Sequence, residues 1–364
     1  MKQAPAHFSP LPYNSSYEQP APDEAETIRD IIATMADIQR KTYQSQGHAI
    51  RSVHAKGHAI LTGELTVFDQ LPPYLAQGLF AKPGTYPIVA RISTQPGDVL
   101  PDSVSTPRGI SFKVAGVEGE HLPDADESST QDFILVNSPI FPQTLNDFLT
   151  GLKRFDALTN KAEGIKEGIS KVLRTVGEVA ETLGVSDTGV MPGMGGQLAT
   201  HPMGDTYYSQ VPYMYGDYMA KFSLTPVSPN LTALKDQPID IDSDDDALRH
   251  LLQDFFAANG GEWELGVQLS TDIKKMPIED ASIEWPEDES PYLTVGKVTI
   301  APQQAWSDQK VAVVEDKMYF SPWHGLAAHR PLGSIQRARN MAYKASAAFR
   351  RNMYGKSDNP ADVQ

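Results

Sequence analysis

Hydrophobic and polar positions divide this chain into a helical lead, a strand-rich body and a helical end. Between Glu24 and Tyr43 the apolar residues Ile28, Ile31, Ile32, Met35 and Ile38 recur at the spacing of one helical face, which predicts an amphipathic helix. From His58 the texture changes. His58 to Phe68, Tyr86 to Thr94, Gly109 to Val117 and Gln131 to Val136 are strand-like stretches separated by Gly, Pro and Asp, and they predict an antiparallel sheet. Asn146 to Phe155 and Lys161 to Leu183 return to the helical period, followed by a loop rich in Gly and Met. Strands resume at Tyr207 to Leu224, Glu262 to Ser270 and Tyr292 to Ile300, with a helix at Asp246 to Ala258 between them. Ser334 to Arg351 is a basic helix with Ala, Met and Tyr interleaved. Seven or eight short strands in two groups, interrupted by helices, predict an α+β fold built on an antiparallel β-barrel. Residues 1–45 form an arm and helix, and 46–364 the main domain.

Composition narrows the function. The 364 residues are 40% hydrophobic and 21% charged, as in an ordinary globular protein. A net charge of -15 repels a phosphate backbone, so nucleic acid is not an expected partner. The basic C-terminal helix opposes that overall charge, which points to a local anionic partner. With no cysteine, disulfides, thiolate-bound zinc, iron-sulfur clusters and thiolate-ligated haem are excluded. No apolar run approaches the roughly 18 residues of a membrane span, so no integral membrane segment is expected. The first 23 residues hold five prolines without the apolar core of a signal peptide, and the cytoplasm is the default expectation. Such an arm needs a partner to be ordered, which suggests a homo-oligomer. The acidic run Asp240 to Asp246 reads as a calcium loop or as a solvated lead into a helix, and it lacks the glycine and terminal glutamate of an EF-hand.

Four segments carry chemistry. In Arg51-Ser-Val-His54-Ala-Lys-Gly57, just before the first strand, His54 reads as a proton shuttle for a peroxide or as a hydrogen-bonded structural histidine. Alternation puts Arg91 and Ser93 on one face of their strand, costly inside a barrel unless both are paired. A carboxylate such as a propionate would satisfy Arg91 and an imidazole Nδ1 would satisfy Ser93; a solvent-facing strand is the other reading. Asn137 ends an apolar strand before Ser-Pro, where an amide either orients a peroxide or caps an Asx turn, and Phe141 either flanks a cofactor or packs in the core. Arg339 and Tyr343, four apart, stack on one helical face, so the guanidinium favours a tyrosinate that ferric iron prefers. Arg350 lies two turns further along that face, within reach of a propionate. A basic surface helix with a buried tyrosine is the alternative.

These segments resemble the catalase superfamily: V-H-A-K-G at Val53 to Gly57, R-x-S at Arg91 to Ser93, P-R-G at Pro107 to Gly109, N-S-P-I-F at Asn137 to Phe141 and R-x-x-x-Y at Arg339 to Tyr343, all in family order. The resemblance implies a catalase-like barrel of about eight strands with a C-terminal proximal helix, and one haem b (Fe(III) protoporphyrin IX) per chain. In that family the residues matching His54 and Asn137 work on peroxide and the match of Ser93 holds the histidine. Arginines matching Arg51, Arg91 and Arg350 bind propionates, and the match of Tyr343 ligates iron beside that of Arg339. Val53 offers His54 no competing hydrogen bond, which favours catalase chemistry. The departures are as informative. Little between Asn137 and Tyr343 matches large catalases, and no extra C-terminal domain follows. Phe320 to Gly333 is similar to small catalase-related bacterial proteins.

The expected activity is breakdown of hydrogen peroxide and small hydroperoxides, a role in the oxidative stress response. A peroxidase or isomerase acting on lipid or organic hydroperoxides would keep the same residues and widen the channel, for which Met191 to Met194 and Tyr207 to Tyr218 are wall candidates if they are not packing. A non-catalytic haem-binding or sensing protein is the third reading, and it needs neither His54, Asn137 nor Ser93.

Overall fold

In the computed structural model the structure describes residues 4–5, 7–123, 129–141, 144–159, 197–357 and 359–363. The expected helix Lys161 to Leu183 and the channel candidate Met191 to Met194 lie outside these residues. The first helix, α1 (Glu24–Gln46), ends where Gly47 takes a φ of 69°, the left-handed conformation glycine adopts without strain. Its apolar stripe is the one the sequence predicts: Ile31, Met35 and Ile38 are buried against Leu149 and Leu152 of α2 (Leu145–Leu158). Thr144 and Asp147 close a capping box at the start of α2.

The strands are β1 (Lys56–Val67), β2 (Gly84–Thr94), β3 (Arg108–Ala115), β4 (Thr130–Val136), β5 (Tyr207–Tyr208), β6 (Tyr213–Tyr215), β7 (Tyr218–Pro226), β8 (Gly261–Leu269) and β9 (Leu293–Ile300). Each pairs antiparallel with the next along β5-β4-β3-β2-β1-β9-β8-β7, and β5 also pairs with β7, so eight strands close into a barrel with β6 hung on β7. The stretch Tyr207 to Leu224, predicted as one strand, is three. Gln210 and Gly216 break it, with φ of 61° and 62°. Its Tyr207, Tyr213 and Tyr215 are buried in the barrel core, so in these rings packing prevails over wall-lining.

Alternation along the strands gives the barrel two unlike faces. Ala90, Ile92, Phe112 and Phe133 meet Phe222 and Val267 from the far wall in one apolar interior. The opposite face carries rows that run across β1 to β4: Ile60, Arg91, Ser111 and Ile134 stand in register, as do Val89, Lys113 and Asp132. Arg91 and Ser93 therefore point out of the barrel, not into it as a barrel-interior reading supposes. They are nonetheless buried, because the segment around Val314, Met318 and Phe320 and the helix α4 (Ser334–Tyr354) cover this outer face. A third helix, α3 (Ala247–Ala258), follows the acidic run. There Asp240 accepts from the backbone of Asp242 and Ser243, and Asp244 from that of Asp246, as a helix lead-in. Among the described residues no cluster of His, Asp or Glu could hold a metal ion, and no helix is long and apolar enough to cross a membrane.

The N-terminal arm finds its partners in its own chain. Leu11 and Tyr13 donate backbone bonds to Ser270 and Asp217 at 2.7 and 2.8 Å, and Glu18 pairs with Arg330 at 2.8 Å and Arg337 at 3.2 Å. Its order therefore does not require a second subunit.

Candidate functional site

Between the outer face of β1 to β4 and the covering α4 lies a small cavity of about 50 Å³, room for a few water molecules. The loop entering β1 supplies Arg51, Val53 and His54 to its wall, β2 supplies Arg91, and α4 supplies Tyr343 and Arg350. Ser93 and Arg339 stand one hydrogen bond behind. Ile134, Leu135 and Phe320 add apolar surface.

His54 sits at φ 49°, a left-handed conformation uncommon outside glycine and one that recurs at functional sites. Its Nδ1 faces the Ser93 hydroxyl at 3.3 Å. Gly109 lets the ring in: a Cβ there would lie 2.7 Å from His54 Cε1. Burial, helped by the Arg91 and Arg339 guanidinia, pushes the imidazole down to about 3, so His54 is neutral at ordinary pH. It can accept a proton, which a charged imidazolium could not.

Three guanidinia converge on Glu315, two of them on its carboxylate. Arg91 grips Glu315 through both oxygens, at 2.6 and 3.0 Å, and Arg51 reaches Oε2 at 2.6 Å. Arg350 takes the Glu315 backbone oxygen at 2.7 Å and shares the Met318 carbonyl with Arg51. Burial opposes a charge on Glu315, yet Arg91 and Arg51 outweigh it and hold the carboxyl at about 2. Glu315 ends a single π-helical turn, Val311–Glu315, and Gly57 makes room for it: a Cβ on Gly57 would meet Oε1 at 2.5 Å. On the α4 side, Arg339 donates to the Tyr343 phenol oxygen at 3.1 Å and lies over its ring at 5.2 Å.

Two expected residues stand apart. The Asn137 amide is engaged at both ends, accepting from the Arg108 backbone at 3.0 Å and donating to Asp205 at 3.1 Å, and it is not on the cavity wall. It ties the end of β4 to the start of β3, because Arg108 itself pairs with Asp205 at 3.1 Å. Phe141 packs edge-on against Phe148 of α2, also off the wall. Conversely, sequence reading passed over Glu315, a lone acid in the apolar run Val311 to Glu315. The signal that could have found it is arithmetic: three arginines meant for one buried site need an anion among them.

No protein-family profile matches the chain, and no curated protein matches it in sequence. Solved structures do. A fungal catalase superposes with a TM-score of 0.58 at 17% identity, over 88% of this chain and 64% of that one. Catalase A from Saccharomyces cerevisiae superposes equally, with a TM-score of 0.58 at 17% identity over 88% of this chain and 66% of the other. The chain thus spans a little under two thirds of each, and what it shares with them is the catalase fold.

Proposed function

We propose that this chain is a haem-dependent oxidoreductase that breaks the O–O bond of peroxides, with hydrogen peroxide and small hydroperoxides as substrates and one haem b in the cavity beneath α4. The observation that carries the reading is His54: a half-buried, neutral imidazole on the wall of the same cavity as an arginine-backed tyrosine and three guanidinia. The side chains are of the kinds the cofactor needs, and the space between them would have to widen to hold it. Buried guanidinia suit two propionates, Val53, Ile134 and Phe320 suit a porphyrin, and Tyr343 offers an oxygen ligand to ferric iron. When bound, the haem would supply the redox chemistry of its iron.

The protein's part is proton handling and exclusion of water. Ser93 fixes the ring through Nδ1 and leaves Nε2 to take the proton from one peroxide oxygen and return it to the other. Arg339 keeps a cationic donor on the Tyr343 oxygen, which holds the phenol in place on the cavity wall. Oxygen release from hydrogen peroxide by the haem-loaded protein, run beside consumption of cumene hydroperoxide, tests the reading. His54→Ala is expected to lower the rate by about 10²–10⁴, the usual worth of a positioned acid–base group. An unchanged rate in the variant would remove His54 from the mechanism.

Asn137 favours keeping a second reading. Because its amide is engaged away from the cavity wall, His54 would act on the peroxide without it, and the hydrogen-peroxide reading lacks one of the two residues that the resemblance assigns to that substrate. Fast loss of cumene hydroperoxide without oxygen release would move the substrate to that class; neither activity would leave haem binding alone.

A further inference from the structure

We propose that Glu315 is an internal stand-in for a ligand carboxylate, so that a dianionic porphyrin enters the cavity only by displacing it from Arg51 and Arg91. The inference rests on the haem reading above and concerns a residue that reading does not use.

The geometry is that of ligand recognition turned inward. Arg91 meets Glu315 with two parallel N–H···O bonds, the fork-to-fork arrangement by which arginine binds a free carboxylate. Arg51 adds a third bond. Terminal nitrogens of Arg51 and Arg350 also donate to backbone carbonyls of Val314, Glu315, Asp316 and Met318. The whole π-turn is thus seated on the guanidinia, while the buried Arg350 Nε is left without a partner. The seat is nevertheless undercompensated. Three arginines face one side-chain carboxylate, and Asp316 beside it pairs instead with His48 at 2.7 Å. Two carboxylates in place of one would balance the cluster better, so a ligand bearing two outcompetes Glu315 where a ligand bearing none cannot. A π-turn suits such a part, since one residue beyond the α-helical count gives the segment a second, tighter winding to relax into.

Haem titration followed by the Soret band, with haem dimethyl ester in parallel, tests this in the full-length wild type and in Glu315→Gln. The variant is expected to bind haem about tenfold more tightly than the wild type, a coupling of ordinary size for two groups competing at one site, and to bind the ester no better. Equal haem affinity in both proteins, or an equal gain for the ester, would overturn the proposal while leaving the haem reading intact. No Soret change in either protein would overturn both. Should Glu315→Gln fail to fold, hydrogen exchange on the wild type decides: haem is expected to speed exchange across residues 311–318, and unchanged or slower exchange there counts against displacement.

Discussion

The inner and outer faces of β1 to β4 are made by the same strands, residue by alternate residue, and they are buried by opposite means. Inward, Ala90, Ile92, Phe112 and Phe133 join an apolar core that water never enters. Outward, Arg91, Ser93, Lys113 and Asp132 are just as buried, but each has a polar partner: Lys113 and Asp132 pair at 2.8 Å with neither exposed. Apolar burial is non-directional and tolerates any neighbour of the right volume. Polar burial demands a named partner, and so fixes where the segment carrying Glu315, Ser321 and His324 must dock. The core holds the barrel together; the outer face specifies what sits on it.

The sharpest way to separate the faces is to cut each once. Phe133→Ala is expected to destabilise the protein by about 3–5 kcal/mol by leaving a cavity. Asp132→Ala should cost about the same, because it strands the Lys113 ammonium. The double change Lys113→Met with Asp132→Leu is expected to restore most of that loss, which no partner substitution could do for Phe133. Denaturant midpoints of the three variants measure this, and a double variant as unstable as Asp132→Ala would show that the pair is more than mutually compensating.

A smaller effect on stability and a large one on chemistry should follow Gly109→Ala. The added methyl must push the His54 ring, at a cost of about 1–3 kcal/mol for overpacking, and a displacement near 1 Å is enough for a loss of about 10² in the proposed peroxide turnover. Wild-type turnover in that variant would mean the ring is free to move without harm.

The mildest expected difference lies in pH. Folded His54 protonates only near 3, against 6.5 for the free side chain, so between those values the unfolded chain binds a proton that the folded one does not. Its contribution is therefore whole above pH 6.5 and lost as pH falls toward 3. Glu315, held at about 2 against 4.5, acts with the same sign lower down, from 4.5 to 2. His201 and His329, brought down to about 4 by burial, add to the slope. Urea midpoints at pH 7, 5 and 3.5 should fall steadily, and less steeply in His54→Ala. A variant with the wild-type slope would mean that His54 already carries its proton in the folded state.

Much of this architecture is legible in the chain. Periodicity places α1, β1 to β4, β8 and β9 to within a few residues, because each is long enough for its apolar face to repeat. Closure is not legible. It depends on β5, two residues whose pairing with Val136 and with Leu224 leaves no period to read. The resemblance, with local spacing, marks the candidate residues, and Arg51, Val53, His54, Arg91, Tyr343 and Arg350 all line one cavity. What spacing cannot convey is competition for a side chain. Asn137 has the sequence of a substrate-facing amide, yet Asp205 and the Arg108 backbone claim it from segments that no local pattern connects. Glu315 is invisible for the converse reason, since its meaning comes entirely from arginines on three other elements.

Because the cavity takes Arg51 and His54 from the approach to β1 and Tyr343 and Arg350 from α4, its wall is complete only once the far ends of the fold have met. An intermediate with its barrel closed and α4 undocked has no binding site. Any ligand of this cavity therefore selects finished molecules, and at one hundred times its dissociation constant it favours them by about 2.7 kcal/mol. Supply of such a ligand would then double as a proofreading step in assembly, favouring the finished fold and leaving half-assembled chains to proteolysis.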